Sequence, residues 1–330
     1  MKKGLLLMML LLAAILLGAA AADTAVPSVT GQLKVTGSLL TDAQGNPVQL
    51  RGFSTHGLAW YPQYVNQALF RQLRQDFGCN AVRLAMYTAE SGGYCTGGDR
   101  EKLKQLILDG VRYAKEADLY VIVDWHILSD GDPNTWADQA VAFFDELSGL
   151  LADEPHVLYE ICNEPNGSTA WADIRRYAER VIPVIRSHAP DAVIIIGTPE
   201  WCQRPEQAAA DPITGWDNLM YSFHYYSATH GGQLRARLKK ALDRGLPVFV
   251  TEFGVTEASG SGRYDFDEAD RWADLLDERG VSYMMWALAN KDELCCAIRS
   301  GCHKVMGLIW SDLTEGSQWM VRRLGGSLAE

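Results

Sequence analysis

Short apolar segments alternate with longer amphipathic segments along most of the chain. Strands that are buried on both faces carry continuous apolar residues, so the short segments are typical of a parallel sheet. Eight such segments stand out: Val48–Phe53, Asn80–Leu84, Leu119–Asp124, Val157–Cys162, Ala192–Gly197, Leu219–His224, Val248–Glu252 and Ser282–Trp286.

The intervals between these segments have helical periodicity. In the first interval Leu69, Phe70 and Leu73 recur at helical spacing, which predicts a helix over 66–77 that ends at Gly78. The same pattern predicts helices over 99–117, 134–152, 168–188, 233–244 and 266–279. Pro183 lies within the longest of them and is expected to kink it.

This alternation predicts the fold class. Strands that alternate with helices form a parallel sheet, and eight such units predict a closed (β/α)8 TIM barrel. A strand-like stretch from residue 33 precedes a turn over Asp42–Pro47. This predicts an N-terminal hairpin that closes the bottom of the barrel, with Val48–Phe53 entering the barrel itself. Since no linker or composition shift interrupts the pattern, we expect residues 23–330 to form a single catalytic domain.

The first 22 residues do not belong to this pattern. They combine Lys2 and Lys3, an apolar run from Leu5 to Leu17 and a small-residue tail to Ala22, which is typical of a cleaved secretory signal. We therefore expect a secreted chain, extracellular or periplasmic, that is not held at a membrane once processed. The net charge of −11 argues against nucleic acid as a partner, because nucleic acid binds basic surfaces.

Polar and aromatic residues stand where the predicted strands end. In barrels of this kind the chemistry lies at the C-terminal ends of the strands. Each residue alone has an ordinary explanation, such as a satisfied core histidine or an aromatic plug, but together they predict a binding cleft. The main ones are His56, Trp60, Arg83, Tyr87, His126, Asn163, Glu164, His224, Tyr226, Glu252 and Trp286.

Two of these strand ends finish in a glutamate. Glu164 follows the strand over 157–162, and Glu252 ends the strand over 248–252. A glycosidase needs such a pair, because one carboxylic acid protonates the leaving oxygen while the other carboxylate attacks the sugar or activates water. Either glutamate alone is more often a helix cap or an ion-pair partner. The pair, in its aromatic surroundings, predicts glycoside hydrolysis.

The chain resembles glycoside hydrolase family 5, and within it the bacterial endo-β-1,4-glucanases, from about Gly31 to the end. The motifs that carry the resemblance are Ser54-Thr-His-Gly-Leu58, Val82-Arg-Leu-Ala-Met-Tyr87, Val123-Asp-Trp-His126, Tyr159-Glu-Ile-Cys-Asn-Glu-Pro165, Ser222-Phe-His-Tyr-Tyr226, Thr251-Glu-Phe-Gly254 and Trp286 with Ala289-Asn-Lys-Asp292. Asn-Glu-Pro alone marks a broad clan of enzymes, whereas all of these motifs in this order are specific.

The resemblance implies a retaining mechanism with Glu164 as general acid/base and Glu252 as nucleophile. The neighbours agree with this assignment, because Arg83 can keep Glu252 ionised and Tyr226 can donate a hydrogen bond to it. Asn163 is expected to bind the sugar 2-hydroxyl group.

The resemblance also implies sugar contacts at eight positions: His56, Trp60, Tyr87, His126, His224, Trp286, Lys291 and Glu293. Trp60 and Trp286 are expected to stack on pyranose faces. His126 and His224 have an alternative role as groups that orient the two glutamates. Lys291 and Glu293 have an alternative as a solvated surface pair.

The seven cysteines are consistent with either free or bridged thiols, although an odd count leaves at least one unpaired within the chain. Cys79 and Cys162 lie in apolar contexts and are expected to be buried free thiols. Three more share the loop after the last strand, where a local bridge can form: Cys295, Cys296 and Cys302. A metal site with His303 is the alternative, but the spacing matches no common zinc pattern. We predict neither metal nor cofactor.

Three hypotheses of function remain open. The first is an exported, monomeric, retaining endo-β-1,4-glucanase that binds β-glucan chains. The second keeps the mechanism on another glycan, such as mannan, xyloglucan or mixed-linkage glucan, because specificity lies in loop contacts. The third is a non-catalytic glycan-binding barrel, which the two opposed carboxylates argue against.

Overall fold

The computed structural model describes residues 25–330, so the predicted secretory signal lies outside the described residues. This part of the chain forms ten strands: β1 (Lys34–Thr36), β2 (Leu39–Thr41), β3 (Arg51–Thr55), β4 (Ala81–Tyr87), β5 (Tyr120–His126), β6 (Val157–Glu160), β7 (Ile194–Ile196), β8 (Leu219–Tyr226), β9 (Val248–Gly254) and β10 (Tyr283–Leu288). Strands β3 to β10 pair in parallel and in sequence order, and β10 closes on β3. The predicted TIM barrel is confirmed.

Several strands extend further towards their C-terminal ends than the sequence predicts. β4 and β5 continue to Tyr87 and His126, which pair with each other in the ladder. β8 and β9 likewise continue to the pair Tyr226 and Gly254. The apolar pattern stops earlier because the side chains at these strand ends face the cleft, while their backbones continue the sheet. Several candidate site residues therefore lie on strands rather than on loops.

The six predicted helices are present with bounds shifted by a few residues. The helices are Pro27–Thr30, Gln67–Gln75, Arg100–Glu116, Ala137–Leu150, Trp171–His188, Pro205–Ala210, Gly232–Asp243, Phe266–Glu278 and Glu315–Arg323, with a short turn over Pro199–Cys202. The helix Trp171–His188 runs through Pro183 as one element. Among the described residues, none of the helices is long and apolar enough to span a membrane.

The N-terminal hairpin is formed by β1 and β2, which pair antiparallel. Its turn lies at Gly37 and Ser38, not at Asp42–Pro47 as predicted, because Gly37 adopts the positive φ of +62° that so tight a turn requires. The turn over Asp42–Pro47 instead leads the chain from β2 towards the barrel, with one isolated bridge between Thr41 and Pro47.

The hairpin closes the bottom of the barrel, as predicted. Leu33 and Leu40 are buried in one cluster with residues from the lower interior of the barrel, including Ile122, Leu158 and Phe249. Tyr120 also ties this end by donating a hydrogen bond of 2.7 Å to the carbonyl of Gly31. The lower interior is therefore filled with apolar side chains, and the polar groups lie at the opposite end.

Candidate active site

A cleft of about 510 Å³ opens at the C-terminal end of the barrel. Eight of the predicted site residues line it: Tyr87, His126, Glu164, His224, Tyr226, Glu252, Trp286 and Glu293. The cleft therefore brings residues from six different strands and their following loops to one place, as a barrel rim does.

Arg83 forms the floor beneath this cleft. Its side chain is fully buried and meets three carboxylates, with distances of 2.7 Å to Glu160, 3.0 Å to Asp124 and 3.4 Å to Glu252. Nη2 of Arg83 also donates to Oδ1 of Asn163 at 2.6 Å. The three carboxylates raise the pKa of Arg83, so the guanidinium stays charged, although burial acts against this.

Glu252 receives hydrogen bonds on both carboxylate oxygens. The hydroxyl of Tyr226 donates to Oε1 at 2.8 Å, and Nη1 of Arg83 lies 3.4 Å from Oε2. Burial and the nearby charge of Glu164 raise the pKa of Glu252 to about 7, while His224, Arg83 and Tyr226 act to lower it. The predicted contacts of Arg83 and Tyr226 with Glu252 are present.

A bulge in β9 helps to direct Glu252 into the cleft. The register between β8 and β9 shifts between Ser222 and His224, so that β9 carries one extra residue before Glu252. A bulge of this kind re-aims the side chains beside it. As a result Thr251 and Glu252, although adjacent in sequence, both contact groups of the site.

Glu164 lies opposite Glu252 and meets a histidine. Nδ1 of His224 is 2.9 Å from Oε1 of Glu164. Burial raises the pKa of Glu164 to about 7, although Arg83 acts to lower it. Oxygen atoms of Glu164 and Glu252 and a ring nitrogen of His224 all lie within 4.8 Å of one another. Two buried carboxyl groups this close hold one proton between them over a range of pH.

Asn163 and His126 form a buried pair beside Glu164. Nδ2 of Asn163 donates to the carbonyl of Ile127 at 3.0 Å and approaches Nε2 of His126 at 3.2 Å. Nδ1 of His126 is 2.6 Å from Asp124. Burial lowers the pKa of His126 well below its usual value, so its ring is neutral. His224 contacts Glu164, as in the alternative role considered for it, whereas His126 contacts Asn163 and Asp124 rather than either glutamate.

Aromatic rings surround the carboxylates. The rings of His126 and Trp286 are stacked with centroids 5.2 Å apart, and Tyr87 lies 4.1 Å from His126. Trp60 is 37% exposed beyond them, and its Nε1 donates to the carbonyl of Ser91. These surfaces have the width and apolar character of platforms for sugar rings.

Three predicted site residues lie at the margin of the cleft rather than in its lining. His56 sits behind Trp286 with ring centroids 5.1 Å apart, and burial lowers its pKa to about 3. Trp60 lies on the same side. Lys291 lines a neighbouring open groove and pairs at 2.6 Å with Glu293, which also lines the cleft, so both the sugar-contact role and the surface-pair alternative stay predictions.

Comparison with known proteins places the chain in a family. The model of the family described as "Cellulase (glycosyl hydrolase family 5)" matches residues 41–292. The chain belongs to glycosyl hydrolase family 5. The predicted family is therefore confirmed, and so is the prediction that the chain is a hydrolase of the cellulase type.

Named relatives of this family 5 member cover most of its length. Endoglucanase A of Butyrivibrio fibrisolvens is 46% identical over 297 residues, which are 89% of this chain and 68% of the relative. An endoglucanase of Clostridium saccharobutylicum is 43% identical over 93% of this chain and 68% of its own length. The catalytic domain of Thermobifida fusca endoglucanase Cel5A, solved in complex with cellotetraose, superposes with a TM-score of 0.87 at 38% identity, covering 92% of this chain and 100% of that one.

Sequence reasoning missed several groups of the family 5 site. Asp124, Glu160, Ser222 and Thr251 are all fully buried around Arg83 and the two histidines. Glu160 was detectable, since it is a charged residue inside an otherwise apolar strand. Ser222 and Thr251 gave no signal, because small hydroxyl residues are common in strands.

Trp201 was also missed. It lines the cleft and is 45% exposed. It is held there by a left-handed turn in which Glu200, Trp201 and Cys202 have φ values of 56°, 55° and 58°. Non-glycine residues adopt this conformation rarely, so the sequence contains no residue that indicates the turn.

All seven cysteines lie in the described part of the chain and have free thiols. The expected burial of Cys79 and Cys162 is confirmed. The bridge considered among Cys295, Cys296 and Cys302 is absent. Cys295 and Cys296 are buried, with their amides bonded to the carbonyls of Gly260 and Glu293, whereas Cys302 is partly exposed and its amide bonds within its own turn to Arg299.

Within residues 25–330, two groups of side chains have the spacing of metal ligands. Donor atoms of Glu293, Cys295 and Cys296 lie within 4.8 Å of one another, and so do those of Glu164, His224 and Glu252. In the second group Arg83 already supplies a positive charge 3.4 Å from Glu252. The prediction that neither metal nor cofactor takes part stays a prediction.

Proposed function

We propose that this family 5 member is an exported, monomeric, retaining endo-β-1,4-glucanase that cleaves internal bonds of cellulose and soluble β-glucans. One observation carries the proposal: Glu164 and Glu252 approach within 4.8 Å at the floor of an open cleft, in different surroundings. Retaining glycosidases hold their two carboxyl groups about 5–5.5 Å apart, whereas inverting enzymes need about 6.5–9.5 Å to admit a water. The short separation supports retention.

The surroundings of the two carboxyl groups support their division of roles. Glu252 faces Arg83 and accepts from Tyr226, and both contacts favour its charged form. Glu164 faces a neutral histidine, since burial lowers the pKa of His224 to about 4. When the pair holds one proton, that proton therefore resides on Glu164. Glu164 is the acid, and Glu252 is the nucleophile.

The reaction then has two steps. Glu252 attacks the anomeric carbon while Glu164 donates its proton to the departing glycosidic oxygen, which gives a covalent glycosyl-enzyme. Water next attacks the same carbon, Glu164 takes a proton from that water, and the bond to Glu252 breaks. The first step leaves Glu164 without its proton and the second step returns it, so the pair ends with a single proton and the product keeps the configuration of the substrate.

Asn163 and the aromatic rings hold the sugar during these steps. Asn163 is held by Arg83, by the carbonyl of Ile127 and by His126, and its proposed partner is the sugar 2-hydroxyl group. Trp286, Tyr87 and Trp60 form one wall, on which pyranose faces stack. Because the cleft is open, it can bind the middle of a long glucan chain, which agrees with cleavage at internal bonds.

The names of the relatives support β-1,4-glucan as the substrate. Both curated relatives are endoglucanases, and the Thermobifida fusca relative holds cellotetraose. The alternatives keep the fold: the same mechanism on mannan, xyloglucan or mixed-linkage glucan, or binding without catalysis. Removal of residues 1–22 and action outside the cell belong to the same proposal.

The test is a time course on soluble carboxymethyl-cellulose that follows viscosity and reducing ends together, with Glu252→Gln beside the wild type. We expect a fast viscosity drop with few new ends, because internal cuts shorten chains most. Glu252→Gln should lose activity roughly 10,000-fold while still binding cello-oligosaccharides.

Other results would redirect the proposal. Cleavage of mannan or xyloglucan without action on cellulose would keep the mechanism and change the substrate. Oligosaccharide binding without turnover on any of these glycans would identify a binding protein instead.

A further inference from the structure

A chain of buried hydrogen bonds runs beneath the proposed acid. It passes from Glu160 to Thr251 at 2.6 Å, from Thr251 to Nε2 of His224 at 2.9 Å, and from Nδ1 of His224 to Glu164 at 2.9 Å. Glu160 and Thr251 are fully buried, and neither touches the cleft. Since a buried chain of this kind has few ways to distribute its protons, its geometry fixes where each proton lies.

Glu160 lies at one end of this series of hydrogen bonds, where it acts only as an acceptor. Nε of Arg83 donates to its Oε2 at 2.7 Å, which is the shortest of the three ion pairs of Arg83. The hydroxyls of Ser222 and Thr251 both converge on Oε1, at 2.9 and 2.6 Å. Burial raises the pKa of Glu160 and Arg83 acts to lower it; three converging donors, one of them cationic, favour the anion in this geometry.

Through Thr251, the negative charge of Glu160 determines which ring nitrogen of His224 carries the proton. A hydroxyl has one proton, and that of Thr251 is directed at the charged oxygen of Glu160. The oxygen of Thr251 can therefore only accept from Nε2 of His224. A neutral imidazole has one N–H group, so the proton lies on Nε2, and Nδ1 carries a lone pair.

The lone pair on Nδ1 points at Glu164, and two acceptors 2.9 Å apart need a proton between them. We propose that Thr251 and Glu160 are positioning residues that hold His224 in its Nε2–H tautomer, so that Nδ1 accepts a hydrogen bond from the protonated carboxyl group of Glu164 and keeps the proton on that acid. This inference rests on the proposed function, in which Glu164 is the acid.

The same arrangement serves the second step. After Glu164 has given its proton to the leaving group, its carboxylate faces the lone pair of Nδ1. That contact is repulsive, which raises the affinity of Glu164 for a proton. Glu164 recovers the proton from the attacking water, and the hydrogen bond to His224 forms again.

Other ionisable groups face this pair from the neighbouring strands and act on Glu164 and His224 in every variant considered below. They are Arg83, Tyr87, Asp124, His126, Cys202, Tyr226 and Glu252. Because substitution of Thr251 leaves all of them in place, a change in the titration of Glu164 reports on the tautomer of His224.

The direct test is ¹⁵N NMR of the histidine rings in the full enzyme, with His224 assigned by its loss in His224→Gln. The chemical shifts distinguish a protonated ring nitrogen from a bare one. We expect Nε2 protonated and Nδ1 bare near neutral pH. In Thr251→Val the acceptor for Nε2–H is gone, and the proton should move to Nδ1, where it meets the Glu164 carboxylate.

Kinetics provide the second readout. In a plot of kcat/KM against pH, the fall at alkaline pH reports the loss of the proton from Glu164. We expect this fall to occur about one pH unit lower in Thr251→Val. Thr251→Ser keeps the hydroxyl and should restore both the pH of this fall and the tautomer. Ser222→Ala is the matched control. The Ser222 hydroxyl donates to Glu160 and lies 3.0 Å from that of Thr251, but Thr251 keeps its own bonds to Glu160 and His224 in this variant, so the tautomer should stay unchanged.

A proton on Nδ1 in the wild type would overturn the inference, and so would an unchanged tautomer in Thr251→Val. The wild-type spectrum and Thr251→Ser decide the matter even if Thr251→Val fails to fold. Failure of the proposed function gives a different result. If the protein has the Nε2–H tautomer but cleaves no glycan, the proposed function is wrong and the hydrogen-bond chain is still present. If the enzyme is active and His224 has its proton on Nδ1, only this inference is wrong.

Discussion

The bottom and the top of the barrel interior differ in polarity, and on a single strand the change takes place within two residues. On β6, β8 and β9 the lower interior positions are Leu158, Met220 and Phe249, which pack together with the hairpin. Two residues further along, the same faces carry Glu160, Ser222 and Thr251, which are joined by hydrogen bonds. Side chains two apart on a strand share a face, so each strand changes from apolar to polar filling within one step.

The two ends stabilise the protein by different means. At the bottom, apolar burial is favourable by itself and tolerates changes of shape that preserve volume. At the top, buried charges are tolerated only because Arg83 and its carboxylates compensate one another, and removal of one partner leaves the others uncompensated. The bottom should therefore determine stability without affecting chemistry, and the top should determine both.

The largest effect is expected at the top, from Glu164→Gln. Loss of the proton donor should lower turnover of β-1,4-glucan by roughly 1,000- to 10,000-fold, because the sugar leaving group needs protonation. With an aryl cellobioside whose phenol leaves without a proton, formation of the glycosyl-enzyme should be much less affected. Burst kinetics measure that step, and an equal loss on both substrates would contradict the assignment of Glu164 as the acid.

The next effect is on stability, from Arg83→Met. This change leaves three buried carboxylates without their cation, and we expect the free energy of unfolding to fall by about 3–5 kcal/mol. Urea unfolding measures it. Arg112→Met is the matched control, because Arg112 is an exposed arginine with two carboxylate partners on its own helix, and its loss should change stability far less than that of Arg83. Similar values for the two variants would break the comparison between the ends.

At the bottom, Leu40→Ala should lower the free energy of unfolding by about 2–4 kcal/mol, since it opens a cavity between the hairpin and the barrel. Turnover by the folded enzyme should stay unchanged, because no polar group of the site moves. Val29→Ala serves as the control, because Val29 is an exposed apolar residue near the same end. A loss of kcat in Leu40→Ala would mean that the two ends are coupled.

The smallest expected effect is a pH-dependent gain in stability when Glu164, at the top of the barrel, is replaced by Gln. Burial raises the pKa of Glu164 to about 7, so the folded state keeps this proton at pH values where the unfolded chain has released it. The stability that the raised pKa contributes is fully present below about pH 4 and is lost as pH rises through about 7. Glu164→Gln should therefore unfold with a free energy about 1–2 kcal/mol above wild type at pH 8, and close to wild type at pH 4. A gain of the same size at both pH values would contradict the raised pKa.

Periodicity predicted the barrel because its signal repeats along the chain. Eight apolar segments and the helices between them leave few alternative folds, and small errors at the strand ends do not change the topology. The hairpin turn was misplaced because Asp42–Pro47 has the stronger turn composition, whereas the actual turn depends on the single positive φ of Gly37.

The candidate site was predictable as far as its residues are chemically distinctive. Glu252 is a charged residue within an apolar strand, Glu164 follows another, and the aromatic residues lie at or near strand ends. Thr251 was not predictable, because its importance depends on the β9 bulge and on contacts with strands far away in sequence. The position of Trp201 in the cleft depends on a left-handed turn that contains no glycine, so the sequence does not indicate it.

The central claim is that Glu252 carries the charge and Glu164 carries the proton. The most direct test is to trap the glycosyl-enzyme with an activated 2-deoxy-2-fluoro cellobioside and to locate the label by peptide mass spectrometry. The account predicts one sugar on the peptide that contains Glu252, together with loss of activity that recovers slowly as water releases the sugar. A label on Glu164, or turnover with inverted configuration and no label, would contradict it.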